Sequence, residues 1–381
     1  MRIVDLQTFV VGNPWKNWVF IKLYTDDGID GLGEANGGLS LPVEGALKEI
    51  RNLCIGENPL NIPALRDKIR KALLFPEDSV INSALSGIDV ACWDILGKKY
   101  GLPLYRLFGG KAFQKLRVYA NGWYRGERSP EFFGKRAKEI VDIGYTALKF
   151  DPFGNNYMRI DSKEEQLSVN IIKAVREAVG IDVDILIECH DRFCVSTAVK
   201  LGKKVEDYTP MWIEAPVLSS DIPATNIVAR KLFIPVAVGE MFTTSRQFTE
   251  LLQKKLIDIV QPEYLVLGGI TPLLEVFHIA AGFGANVAPH SAQSPLSTAV
   301  NVHVGISQSN TLILECFDEF QDEGLKKVLS GAPKVKDGYI EPTETPGHGV
   351  TLDEKEAAKY PYGPQNVLRL FEEGWERRRV T

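Results

Sequence analysis

The sequence predicts an α/β protein, a β/α barrel preceded by an α+β domain. Three observations carry that reading. From about Leu116, eight short apolar runs alternate with amphipathic stretches at helical spacing. The first third lacks this rhythm and looks like a hairpin followed by helices. Three glutamates, Glu188, Glu214 and Glu240, follow one another 26 residues apart, each near the end of an apolar run.

In the first third, "WVFIKLYTDDGIDGLGEA" reads as two strands joined by a polar Asp-Asp-Gly turn. Helices are expected around "VEGALKEIRNLCIG" and over "SVINSALSGIDVACWDILGKKYG", where Gly101 is placed to end the second. The glycines of "GIDGLGEANGG" show no strand, Gly-x-Gly-x-x-Gly, helix order, so they read as turn glycines and not as a dinucleotide fingerprint.

The barrel strands are then "RVYANGW", "TALKFDP", "DILIECH", "PMWIEAP", "PVAVGEM", "DIVQPEYL", "NVAPHS" and "TLILECF". Between them lie helical segments such as "SPEFFGKRAKEIVDIG" and "TSRQFTELLQKKL". Alternation of apolar strands with helices implies a parallel sheet, and eight such units fit a closed barrel. Catalytic groups in that architecture collect at the C-terminal strand ends. Those ends carry Lys149, Asp151, Glu188, His190, Glu214, Glu240, Glu263, His290 and Glu315. The tail from about Pro346 is broken by Pro and Gly, then reads as helical over "NVLRLFEEGWERRR". It is expected to pack back on the first domain or the barrel's flank.

Composition narrows the function classes. The 381 residues are 45% hydrophobic and 24% charged, ordinary for a globular fold. A net charge of −5 argues against nucleic acid as the main partner. No stretch reads as a membrane span, and "MRIVDLQTFVVG" lacks the apolar core of a signal peptide, so a cytoplasmic location is expected. The cysteines, Cys54, Cys92, Cys189, Cys194 and Cys316, are odd in number and scattered. They read as reduced thiols, although Cys189 and Cys194 flank His190 and a thiolate site is conceivable.

The site chemistry starts from the three glutamates. A lone buried carboxylate is costly, and three at one repeating position point to a shared cation. Hard oxygen ligands suit Mg²⁺, with Mn²⁺ as the alternative. Glu263 and His290 end neighbouring strands, and a carboxylate on an imidazole orients it and raises its basicity, which makes His290 a candidate general base. His190 stands two residues after Glu188 and by strand alternation faces the same side. Lys149 and Asp151 share a face by the same argument.

These residues resemble a known family. "ALSGIDVACWDILGKKYGLPLYRLFGG", "WIEAP", "VAVGE", "QPEYLVLGGIT" and "APHS" stand in the order found in the enolase superfamily, mandelate racemase-like branch, and the likeness spans nearly the whole chain. Glu188-Cys189-His190 resembles the sugar-acid dehydratases of that branch, D-galactonate dehydratase above all.

The resemblance implies a modified (β/α)7β barrel spanning 116–345. An α+β capping domain would cover 1–115, with the tail 346–381 packed on it. It implies Glu188, Glu214 and Glu240 as Mg²⁺ ligands, His290 as the base paired with Glu263, and His190 as the acid that protonates the leaving hydroxyl. It implies substrate contacts for Lys149, Asp151 and Glu315, the last as a protonated acid. Glu263 stands where the family usually has Asp. Lys149-Phe150-Asp151 stands where many racemases have Lys-x-Lys, so the second base of a racemase is missing. Trp15, Lys16, Asn17 and Trp18 fall where the family's mouth-closing loops lie; packing alone would also account for the tryptophans.

The activity implied is dehydration of an aldonate such as D-galactonate, D-gluconate or D-arabinonate to a 2-keto-3-deoxy acid. It is implied in a homo-oligomer, dimer or octamer. An epimerase, racemase or cycloisomerase of the same fold is the alternative, and a non-catalytic sugar-acid-binding protein a third reading.

Overall fold

The computed structural model describes residues 1–35, 38–74 and 77–375. Strands β1 (Ile3–Val11), β2 (Trp18–Thr25) and β3 (Asp30–Glu34) form an antiparallel sheet in that order. The hairpin expected from sequence is β2–β3. β1 adds an edge strand whose burial does not alternate cleanly, which is why its pattern was not legible.

Helices α1 (Ser40–Cys54), α2 (Ile62–Ala72) and α3 (Ser79–Tyr100) pack with this sheet in a core of their own. α2 was not anticipated. α3 ends at Gly101, whose φ of 67° lets its N–H turn back to the carbonyls of Gly97 and Lys98.

Two of the glycines expected in turns do something else. A Cβ on Gly33 would lie 2.0 Å from the carbonyl oxygen of Gly87, and one on Gly31 2.1 Å from that of Ala91. β3 therefore lies directly on the α3 backbone, whereas Gly28 (φ 77°) serves the hairpin turn and Gly38 (φ 102°) lies in a bend. Asn36 and Gly37 of that stretch are outside the described residues. By length and a mean hydropathy of 1.2, α3 is able to cross a membrane, contrary to the expectation that no stretch could. However, 78% of that window is buried inside the protein, so it is the central helix of this first core.

A single turn, α4 (Leu104–Leu107), leads into the barrel. All eight expected strands form: β4 (Leu116–Ala120), β5 (Ala147–Phe150), β6 (Asp184–Glu188), β7 (Trp212–Glu214), β8 (Val236–Val238), β9 (Ile259–Val260), β10 (Asn286–Val287) and β11 (Leu314–Cys316). They pair in parallel in the ring order β10-β9-β8-β7-β6-β5-β4-β11. The ring closes where Val287 bridges Thr311, just before β11.

The crossovers are α5 (Pro130–Asp142), α6 (Ser162–Val179), α7 (Val195–Val205), α8 (Ile222–Lys231), α9 (Ser245–Leu252), α10 (Tyr264–Leu267) with α11 (Ile270–Phe283), and α12 (Pro295–Ser307). Seven strand–helix units followed by a last strand make this a (β/α)7β barrel.

The inside of the barrel is layered, because alternate residues of a strand point inward. Its floor is Tyr119, Ala147, Leu186, Trp212, Ala237, Ile259, Ala288 and Ile313, one from each strand or its immediate flank. Two residues further along each strand stand Asn121, Lys149, Glu188, Glu214, Gly239, Gln261, His290 and Glu315. An apolar floor thus changes in one step to a polar layer at the mouth.

The tail departs from expectation. Among the described residues of 361–375 no α-helix forms. The chain is anchored instead by Asn17, whose amide donates to the Gly363 carbonyl at 2.9 Å and accepts from the Gly363 N–H at 3.0 Å.

Gly33→Ala is expected to destabilise the protein by about 3 kcal/mol, because two backbones must separate to admit one methyl. A chemical denaturation midpoint equal to wild type would show that β3 can leave α3 without cost.

Candidate active site

Glu188 and Glu214 end β6 and β7 as direct cross-strand partners, both buried. Glu240 does not share their position, although the interval is the same: Glu214 is level with Ala237, three residues earlier. Glu240 arrives by a different route. Gly239 has φ 135°, and a Cβ there would lie 2.6 Å from the Phe248 ring of α9. The backbone turns at that glycine and sends the next side chain into the mouth. One oxygen from each of Glu188, Glu214 and Glu240 then falls within 4.8 Å of the others.

This donor set fits a hard divalent cation. Burial and the neighbouring Glu188 push the Glu214 carboxyl up to about 8, although Lys149 opposes this. A group held back from ionising in that way gains from any added positive charge.

Lys149 stands among the carboxylates. Its Nζ lies 2.6 Å from Glu214, 2.9 Å from Glu315 and 3.1 Å from Glu188, all buried. Burial disfavours its charge, but Glu214 and Glu315 outweigh that and raise its pKa. Burial would also raise Glu315. Lys149, His290 and the Ser291 N–H oppose it and bring Glu315 down to about 2. The Asn121 amide donates to its other oxygen at 2.7 Å.

His190 reaches the mouth by a route that strand alternation does not describe. β6 stops at Glu188, and His190 and Asp191 take φ of 50° and 59°. Two consecutive left-handed residues are unusual away from functional loops. The His190 N–H donates to Glu188 at 2.8 Å, and its Nδ1 lies 2.7 Å from Asp151.

Asp151 is completely buried. Its second oxygen accepts from the Phe153 N–H, and Arg192 closes on the oxygen shared with His190. Asp151 is therefore taken up behind His190, neither open to a substrate hydroxyl nor paired with Lys149. Arg192 was not foreseen. Fully buried, it also donates to the carbonyls of Cys189 and Gly154. An Arg in a loop carries no periodic signal.

His290 meets Glu263 as expected, Nδ1 to carboxylate at 2.7 Å. Glu263 lies beyond β9 as the N-cap of α10, and its other oxygen accepts from the Leu265 N–H at 3.0 Å. The extra methylene over Asp thus lets one side chain cap a helix and orient an imidazole. His290 Nε2 faces Glu240 at 3.2 Å and Glu315 at 3.8 Å. Burial disfavours its charge, but Glu315, Glu240 and Glu263 carry its pKa up to about 10.

Asn121, Lys149, Glu188, His190, Glu240, Glu263 and His290 line a cavity of about 480 Å³ together with Trp15 and Lys16. Trp18, by contrast, is on β2 in the core. The tail, expected on the first domain or the barrel's flank, is tied to the first domain at Asn17 and lines the cavity with Val367, Leu368, Leu370 and Trp375. The Trp375 ring stands perpendicular to His190 with centroids 5.9 Å apart, and its Nε1–H donates to the Gly154 carbonyl. His303 and His348 are buried away from this mouth. His348 is held between the Leu32 carbonyl and Asp94. Cys189 is buried, and the only set of metal-ligating type among the described residues is the three glutamates.

Comparison with known proteins agrees with this architecture. Residues 133–356 match the model described as "Enolase C-terminal domain-like", and 7–109 match "Mandelate racemase / muconate lactonizing enzyme, N-terminal domain". The chain is 33% identical to D-gluconate/D-galactonate dehydratase of Picrophilus torridus, covering 95% of this chain and 93% of that protein. It is also 33% identical to D-gluconate dehydratase of Thermoproteus tenax, covering 93% and 72%. The crystal structure of a mandelate racemase/muconate lactonizing enzyme-like protein from Roseovarius sp. TM1035 superposes with a TM-score of 0.91 at 32% identity, covering 98% of each chain.

A raised imidazole pKa has a stability consequence. What His290 contributes is complete below its unfolded value of about 6.5 and is lost as pH rises through about 10. In chelator-treated protein, the stability gap between wild type and His290→Asn should narrow from about pH 7 to about pH 10. A gap unchanged across urea titrations in that window would mean that the three carboxylates do not hold an imidazolium.

Proposed function

Because the chain belongs to the enolase superfamily, in its mandelate racemase / muconate lactonizing enzyme branch, we propose that this hydro-lyase removes water from an aldonate of the D-gluconate or D-galactonate kind. The product is the 2-keto-3-deoxy acid. One observation supports this reading most: two imidazoles serve one cavity, from β6 and β10 on opposite sides of the ring, each with Nδ1 tied to its own carboxylate. A carboxylate on Nδ1 fixes the tautomer and leaves Nε2 to exchange the proton with substrate.

Glu188, Glu214 and Glu240 would hold Mg²⁺. When bound, the ion supplies positive charge that binds the substrate carboxylate and makes the C2 proton more acidic. Glu240 is in this set and also beside His290 Nε2. With its charge shared, less holds the imidazole protonated, and His290 accepts the C2 proton. Lys149 offers its ammonium to the negative charge that develops on the carboxylate.

His190 donates a proton to the C3 hydroxyl, which leaves as water, and the enol settles to the 2-keto acid. The Trp375 ring and the Trp15 side of the mouth exclude water from this step. We take residues 1–115 with the tail 346–381 as the capping unit and 116–345 as the barrel. Asp151 is occupied by Arg192 and His190, so the position where many racemases carry their second lysine supplies no base here.

Incubated with Mg²⁺ and a panel of aldonates, the protein should yield 2-keto-3-deoxy acid from at least one, and EDTA should stop it. His290→Asn should abolish C2 proton exchange with deuterated water, while His190→Asn should keep exchange and lose dehydration by about 100-fold or more. Exchange without any keto acid from the wild type would move the function to epimerisation.

A further inference from the structure

The polar layer of the barrel contains one member that the chemistry above does not use. Gln261 stands two residues beyond Ile259, a floor residue, so by strand alternation it points inward. It is 1% exposed, yet neither its amide nitrogen nor its amide oxygen has a hydrogen-bond partner among the described residues.

Its place in the ring matters. Barrels fill their interior in layers of four side chains taken from alternate strands. β5, β7, β9 and β11 are alternate strands here, and they bring Lys149, Glu214, Gln261 and Glu315 to the layer position. Three of the four are bonded to one another through the Lys149 ammonium. The fourth is the unpaired amide.

The neighbours on the floor and on the adjacent β8 offer this amide no side-chain partner. Beside Gln261 on the floor are Ala237 and Ala288, both small. On the adjacent β8, the layer position is Gly239, which presents no side chain. His290, on the other adjacent strand, is in the same layer. A buried amide with both ends unmet is a poor structural element, because the great majority of buried polar groups are satisfied. As a preformed donor toward negative charge, it costs no reorganisation when that charge appears.

We propose that Gln261 is a substrate-binding residue, its Nε2–H donating to a carboxylate oxygen of the substrate. The bond shortens as that oxygen gains charge on loss of the C2 proton. The inference rests on the reading that this site takes a carboxylate substrate. It names a contact opposite Lys149, so that the carboxylate is held from two sides of the ring.

The test uses oxalate, a planar dianion resembling the carboxylate end of the deprotonated substrate, titrated by calorimetry into full-length protein with Mg²⁺. Gln261→Met removes both amide functions at similar volume. Its oxalate Kd should rise about 10- to 100-fold, and kcat/KM for the active aldonate should fall by a similar factor, mainly through kcat. Mg²⁺ affinity, titrated without oxalate, should stay within about twofold. Gln261→Glu keeps the length and adds charge, so it should weaken oxalate further. It also serves if the Met variant does not fold.

Oxalate binding within about twofold of wild type in a folded variant would overturn the proposal, whether or not melting temperature changes. A wild type that binds no oxalate with Mg²⁺ would also overturn it. Oxalate binding that depends on Gln261 in a protein yielding no keto acid would leave the inference standing and remove the dehydratase reading instead.

Discussion

The site depends on the burial of negative charge around one ammonium. Glu188, Glu214, Glu263 and Glu315 are all at most 2% exposed, and Lys149 contacts three of them. A single cation cannot offset that many carboxylates in a low-dielectric barrel. The strain shows as opposite outcomes for neighbours. Glu315 is held at about 2 by Lys149 and His290 against burial, whereas burial and Glu188 leave Glu214 at about 8. Such an excess favours a cation, and it favours imidazolium at His290 until one arrives.

The same imbalance explains why each histidine is tethered. His290 carries Glu263 on Nδ1, and His190 carries Asp151. The two tethers differ in what stands behind them. Glu263 is stiffened by capping α10, while Asp151 is shared with the buried Arg192. The first, whose other donors are the neutral Leu265 N–H and Gln293 amide, leaves more of its charge to the imidazole and suits a base. The second divides it and suits a group that must give a proton away.

Enclosure comes from parts of the chain far apart in sequence. Trp15 and Lys16 come from the loop after β1, and Leu370 and Trp375 from the tail. Asn17 ties the two together through Gly363. Lining the mouth with segments outside the barrel lets the wall vary while the strand ends keep the chemistry.

The sequence by itself determined the barrel, since eight apolar runs with helices between them leave a closed parallel sheet as the solution that buries both faces. It also determined that Lys149, Glu188 and Glu214 end their strands facing one side, because side-chain direction along a strand has a fixed period of two, and it placed Glu263 and His290 just beyond theirs. Tertiary structure decided everything that depends on leaving that period. Glu240 reaches the metal set only through the turn at Gly239, so its 26-residue interval matched that of its neighbours without sharing their register. His190 enters on a left-handed loop and not on a strand. Asp151 is directed to Arg192 and His190, and the tail crosses the mouth without an α-helix among its described residues. Each of these is fixed by packing between residues distant in the chain, and no local pattern encodes a contact that only the folded molecule creates.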